Sequence, residues 1–392
     1  MKIKNIKIRH LYGTINTEGN FWEERLVRPI DIYSEFRSNQ DWHVINFSNQ
    51  VEKNKLSHDA YFVQIETEND FYGIGGPFEE SIAYIIKNEL SQYIINQDPL
   101  ALEYLWDLMH RGSVHGRQGN TMIAISAIDN ALWDLKGKIL DRPVYELLGG
   151  PAREELFCYS TGGDTDWYME LGFKATKLPC KYGPADGLDG LKKNVEFIGS
   201  TRELIGDDVE LMLDCWMGFD IEYAVRLAEE LRPFKLKWME EILPSEDFDA
   251  HAELRRRVPW QTLATGEHWY TTVPFQHAAS KHLVDIMQPD ISWVGGMTAI
   301  VKICAIAEAA NISVIPHGGG NTPYGQHACF AMPAIPWTEC YIATPPGVPI
   351  ERLGGNKSFP GMSVPNNSKM VPSNAPGFGL EINKGDLKPY KY

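Results

Sequence analysis

The chain has 392 residues, 43% hydrophobic and 23% charged, with a net charge of −15 at pH 7. That length suits about two or three domains with a large core, and the acidic balance excludes nucleic acid as a partner, because phosphate binding needs basic patches. No run reaches 18 consecutive apolar residues, so neither a membrane span nor a membrane partner is expected, and the six scattered cysteines, with no CxxC pair, read as reduced thiols of a cytoplasmic protein.

The opening MKIKNIKIRHLYG alternates charged and apolar residues and lacks the apolar core of a secretory signal. It predicts a strand over 1–12, and DAYFVQIETE predicts another over 59–68. Between them, about 15–58 is polar with scattered aromatics and three arginines, Arg25, Arg28 and Arg37. It is too long for an ordinary connector and reads as a lid over a site, with Trp22 and Arg28 as candidate ligand contacts. Residues 79–110 carry helical spacing. AISAIDNALWDLKGKIL (124–140) predicts an amphipathic helix, and RPVYELLGG a short helix ended by its glycine pair.

Beyond residue 150 short apolar strands alternate with helices. The strands read ATKLP (175–179), LMLD (211–214), LKWMEE (236–241), LATGE (263–267), DIMQPD (285–290) and SVIPHG (313–318), with ECYIA (339–343) as a further candidate. Such alternation means parallel βαβ units of the α/β class, and seven or eight of them suggest a closed barrel. The Pro-, Gly- and Asn-rich tail from 345 is expected to return to the N-terminal domain.

The strand ends carry the chemistry. Asp214 closes one strand, Glu240 the next, 26 residues on, and Glu267 the third, 27 further. A lone Asp214 would be explained as a helix cap, but three acids in register at the C-terminal ends of adjacent barrel strands converge where barrel active sites lie. Their repulsion calls for a divalent cation, and all-oxygen donors favour Mg²⁺. Asp290 and His317 continue the series at spacings of 23 and 27, and a histidine beside a carboxylate is what a general base needs.

With these motifs the chain resembles the enolase superfamily, in its mandelate racemase-like branch, whose sites pair a Lys or His base with Mg²⁺. LMLDCWM, LKWMEEILP, TGEH, DIMQPDISWVGGMT, PHG and PGFGLEIN together are similar to the L-rhamnonate dehydratase group of acid-sugar dehydratases, over most of 124–383. The resemblance implies an α+β capping domain (1–125) with the lid, a modified (β/α)7β TIM-type barrel (126–345), and a C-terminal segment (346–392) packing back on the cap. It implies that Asp214, Glu240 and Glu267 ligate one Mg²⁺, that His317 is the acid/base oriented by Asp290, that Glu339 hydrogen-bonds the substrate carboxylate, as an acid or through water, and that His268 lines the pocket. It also implies a homo-oligomer, a dimer or octamer.

Two departures qualify it. Many members of the branch have Lys-x-Lys on the second barrel strand; here it is Lys177-Leu178-Pro179, so Lys177 can serve as a cation but Pro179 cannot be a base. The capping loop reads Asn20-Phe21-Trp22 where the group has histidine before tryptophan. One acid/base favours dehydration of an aldonate such as L-rhamnonate, L-lyxonate or L-mannonate over racemisation, which needs bases on both faces of the α-carbon. An epimerase, a cycloisomerase or an inactive barrel are the alternatives. Histidine-poor strand ends disfavour a zinc hydrolase.

Overall fold

The computed structural model describes residues 1–16, 25–37, 50–52, 55–342, 346–350, 362–380 and 388–390. The N-terminal part is an antiparallel sheet of β1 (Ile3–Asn16), β2 (Gln50–Glu52), β3 (Lys55–Thr67) and β4 (Tyr72–Phe78). Helical turns over 80–94 and helix α1 (Leu102–Gly112) follow, then α2 (Asn120–Leu140), which covers the sheet. The expected strands are longer than their alternating cores, and the helical stretch 79–110 is two segments broken near 95–101.

β4 escapes the sequence pattern because its run YGIGGPF holds three glycines. They are there for close packing: a Cβ on Gly73 would stand 2.0 Å from the Ala131 carbonyl oxygen of α2, and one on Gly75 would stand 1.9 Å from that of Ala127. Bare backbone lets helix and strand touch.

The second part alternates strictly: β5 (Leu156–Thr161), α3 (Thr165–Glu170), β6 (Ala175–Pro179), α4 (Gly187–Ile205), β7 (Glu210–Asp214), α5 (Ile221–Leu231), β8 (Met239–Glu240), α6 (Phe248–Arg257), β9 (Leu263–Thr265), α7 (Val273–Lys281), β10 (Ile286–Met287), α8 (Gly296–Ala309), β11 (Ser313–Val314), α9 (Pro323–Ala331) and β12 (Trp337–Tyr341). The eight strands are parallel, in the order β11-β10-β9-β8-β7-β6-β5-β12. Val314 N donates to Ala334 O (2.9 Å) and Gly320 N to Glu339 O (2.7 Å), bringing the β11 and β12 ends together. This is a (β/α)7β barrel, as expected. Its interior is filled by Tyr159, Ala175, Met212, Trp238, Ala264, Ile286 and Ile315, with Trp337 of β12 packed against them.

The tail divides its contacts. Lys369–Met370 (β13) pairs with β5 on the barrel, while Lys388–Pro389 (β14) pairs with β1. Between them Phe378 N donates to Asp134 of α2 (3.0 Å). Among the described residues no helix is long and apolar enough to cross a membrane, and all six cysteines are free thiols and buried.

Candidate active site

Parallel register sets the floor of the site. Asp214 lies opposite Glu240, and Asp290 opposite His317. Two residues before Glu240, Trp238 fills the barrel interior, so alternation sends Glu240 inward as well. Glu240 is fully buried, and its Oε2 accepts from Trp238 Nε1 (3.0 Å) and Gln288 Nε2 (2.6 Å).

Lys177 organises this half. It is 1% exposed, and its Nζ donates to Glu240 Oε1 and lies 2.7 Å from Glu339 Oε1 and 3.7 Å from Asp214 Oδ2. Burial presses the ammonium to lose its proton, but Glu240 and Glu339 outweigh that and raise its pKa well above the ordinary value. Glu339 also accepts from Thr161 Oγ1 (2.5 Å) and Gly318 N (2.8 Å). Burial pushes its carboxyl up, yet Lys177 and His317 hold it at about 2. An ionised Glu339 has no proton to donate, so the expected bond to a substrate carboxylate needs a water, Lys177 or Thr161 between them.

The other half is built on histidines. His317 Nδ1 is 2.8 Å from Asp290 Oδ2, and its Nε2 is 3.6 Å from Glu267 Oε2. Asp290 is fixed by its own loop, accepting from Ser292 N at 2.6 Å. Burial opposes charge on His317, but Glu267 and the Asp290 hydrogen bond raise its pKa well above the usual histidine value. His268 Nδ1 lies 2.8 Å from Glu241 Oε2 and 3.5 Å from Glu267 Oε1. Trp293 stands between the two imidazoles, its ring centroid 5.2 Å from His317 and 5.7 Å from His268.

Glu241 is the residue that sequence reasoning missed. It is fully buried, with its backbone at φ +45°, in the left-handed region. The doublet Glu240-Glu241 was its signal, but strand alternation credits only one member to the site. Donor atoms of Glu241, Glu267 and His268 lie within 4.8 Å of one another, a spacing that could also hold a cation. Asp214 and Glu240, the other two expected ligands, meet at Lys177 instead.

Six carboxylates thus converge (Asp214, Glu240, Glu241, Glu267, Asp290 and Glu339) against one lysine and two histidines. Burial, then the neighbouring acids, push Asp214 up to about 6 against the pull of Lys177, and raise Glu267 and Glu241 well above the usual carboxylate range. An all-oxygen donor set short of positive charge fits a hard divalent cation.

Of the lid candidates, Arg28 is buried and donates to Asp31 Oδ1 (3.1 and 2.9 Å) and Phe36 O (2.7 Å). The segment 25–37 is pinned on the barrel rim: Val27 N donates to Cys180 O (2.7 Å) and Arg37 Nη1 to Ala185 O (2.5 Å). Trp22 lies outside the described residues. His327, on α9, is buried in packing. Its Nδ1 accepts from Tyr145 N (3.2 Å), and burial lowers its pKa to about 3.

Residues 165–386 match the family model of the enolase C-terminal domain-like fold, and 51–149 that of the mandelate racemase/muconate lactonizing enzyme N-terminal domain. The chain is 36% identical over 391 residues to a Saccharopolyspora erythraea protein named L-rhamnonate dehydratase, covering 98% of this chain and 97% of that one. The crystal structure of L-rhamnonate dehydratase from Gibberella zeae superposes with a TM-score of 0.88 at 30% identity, covering 99% of this chain and 96% of that one. A second structure of the Gibberella zeae rhamnonate dehydratase, complexed with Mg, gives a TM-score of 0.87 at the same identity and coverage. The chain therefore belongs to the mandelate racemase/muconate lactonizing enzyme family of the enolase superfamily.

Proposed function

We propose that this protein is a Mg²⁺-dependent hydro-lyase that dehydrates an acid sugar, an aldonate such as L-rhamnonate, L-lyxonate or L-mannonate, to the 2-keto-3-deoxy acid. The observation that carries the reading is the Asp290–His317 pair set against Glu267 in a nest of buried carboxylates. The dehydratase names of the relatives, and the Mg in the Gibberella zeae complex, support it.

Asp214, Glu240 and Glu267 would hold the cation. When bound, Mg²⁺ supplies a Lewis acid that takes up charge developing on the substrate carboxylate. The chain's own groups do the rest. His317 Nε2 takes the α-proton, leaving an enediolate, while Asp290 holds the ring by Nδ1. Glu267 is the charge that does most to keep His317 protonated, so neutralising Glu267 moves His317 toward the range where it can act as a base. Lys177, held by Glu339 and Glu240, offers positive charge to the substrate carboxylate. The proton on His317 then passes to the 3-hydroxyl, which leaves as water as the C2–C3 double bond forms. The resulting enol tautomerises to the keto acid. Pro179, in register with Asp214, supplies no second base, which favours elimination over inversion at the α-carbon.

The test is a screen of purified protein with Mg²⁺ against aldonic acids, reading 2-keto-3-deoxy product as the semicarbazone, with His317→Asn as control. Turnover abolished by the substitution supports the reading. Exchange of the α-proton with solvent deuterium without loss of water would replace it with an epimerase. Assembly into a dimer or octamer belongs to the same proposal and is counted by light scattering.

A further inference from the structure

We propose that Glu241 and His268 form a second carboxylate–histidine dyad, in which Glu241 is a positioning residue that turns His268 Nε2 toward the bound acid sugar. The inference rests on the acid-sugar reading above. His268 Nδ1 lies 2.8 and 3.1 Å from the two oxygens of Glu241, a geometry that repeats the 2.8 Å contact between His317 Nδ1 and Asp290. The two dyads flank Trp293, and Trp216 closes the far side of His268 with its ring centroid at 6.3 Å.

The two members are buried unequally. The Glu241 side chain is 1% exposed and that of His268 is 21% exposed. Among the described residues Nε2 of His268 has no protein hydrogen-bond partner, and Glu241 has none for its side chain besides His268. A fully buried carboxylate spent on one ring nitrogen is an expensive way to fill space, since a buried charge is tolerated only when paired. Its effect on the ring is specific: with Nδ1 engaged, the other nitrogen faces away from the carboxylate, and the tautomer is fixed. The same three-residue neighbourhood offers a competing use, because Glu241, Glu267 and His268 are close enough to share a cation. A cation bound there through Nδ1 would replace the contact between Glu241 and that nitrogen.

The experiment compares Glu241→Ala, Glu241→Gln, His268→Ala and the double Glu241→Ala/His268→Ala variant. Its readouts are kcat and KM on the aldonate the wild type turns over, Mg²⁺ affinity by calorimetry, and the crystal structure of Glu241→Ala. A positioning role predicts that Glu241→Ala lowers kcat by about tenfold to a hundredfold and leaves Mg²⁺ affinity unchanged. The loss should vanish when His268 is already absent. Glu241→Gln, whose amide oxygen still accepts from Nδ1, should recover part of the activity, and the His268 ring should turn in the Glu241→Ala crystal.

Equal losses with and without His268, or an unmoved ring, overturn the proposal. A fall in Mg²⁺ affinity of tenfold or more assigns Glu241 to the metal instead, and also overturns it. If Glu241→Ala does not fold, Glu241→Asp, which withdraws the carboxylate by one methylene, carries the same comparison. If the wild type turns over no aldonate, the acid-sugar reading fails by itself, and the ring position in the variant crystal still decides the dyad.

Discussion

Replacing Lys177 with methionine keeps most of the side chain's volume and removes its charge. The ammonium is 1% exposed and faces Glu240, Glu339 and Asp214. Breaking a buried pair by deleting one partner costs about 3–5 kcal/mol. The electrostatics point the same way: Glu339 is held at about 2 against burial, chiefly by Lys177. A carboxylate with a depressed folded pKa contributes stability above its unfolded value, and loses it as pH falls from about 4.5 toward 2. Without Lys177 nothing opposes the burial and mutual repulsion of these acids, so ionising them penalises folding increasingly as pH rises. The variant should therefore lose about 3–5 kcal/mol at pH 7 in metal-free buffer, less at pH 5, and regain part of the loss on adding Mg²⁺. Urea unfolding at both pH values, with and without Mg²⁺, measures this. A variant as stable as wild type at pH 7 without metal would refute the view that Lys177 neutralises this cluster.

His317→Asn should reduce kcat by at least about 10²–10⁴-fold while Mg²⁺ binding by calorimetry persists; retained turnover would remove His317 from the chemistry. Asp290→Asn should also lower kcat, because an amide can donate to Nδ1 and stabilise the wrong tautomer, with KM changing much less; a change confined to KM contradicts this. Asp214, pushed to about 6 chiefly by burial, is protonated below that pH and must lose the proton to bind a cation. Mg²⁺ affinity should then weaken by up to about tenfold per pH unit below 6, with proton release in calorimetry near pH 6. A flat profile from pH 5 to 7 would mean that Asp214 is not a ligand.

The strand-end acids were legible because a βα unit has a nearly constant length, and residues in register on parallel strands share one level of the barrel. The doublet at 240–241 defeated that logic: period two assigns one glutamate to the interior, and the left-handed backbone at Glu241 is not written in its side chain. β4 was hidden by glycines whose purpose, contact with α2, is a property of the packed pair. β5, LFCYST, mixes apolar and small polar residues because Ser160 donates to Ala175 O (3.3 Å) and Thr161 donates to Glu339. Arg28 looked available as a ligand contact because charge shows in a sequence, whereas its engagement with Asp31 depends on the short 3₁₀ turn at Pro29–Ile32.

The helix 124–140 reads as amphipathic, but several of its polar residues are buried and tie the N-terminal part to the loop that carries Asp290. Ser126, Asp129 and Asn130 accept from Gly295 N (2.8 Å), Thr298 N (2.8 Å) and Met297 N (3.1 Å). These are amide groups at the start of α8 that the helix itself cannot satisfy. Asp129 pays for this by burial that raises its pKa to about 7, although Thr298 hydrogen-bonds both its oxygens. Gly296, at φ +74°, has to be glycine on two counts, since a Cβ there would also meet Asp129 Oδ2 at 2.5 Å. Trp106 of α1 holds the same loop through Gly295 O (2.8 Å). The loop so fixed runs back to Trp293 and Asp290, and Asp290 fixes His317. The orientation of His317, the proposed base, is thus set by α1 and α2 as well as by the barrel strands. That gives a physical reason for the polar side chains buried along α2, where hydrophobic periodicity alone would place apolar ones.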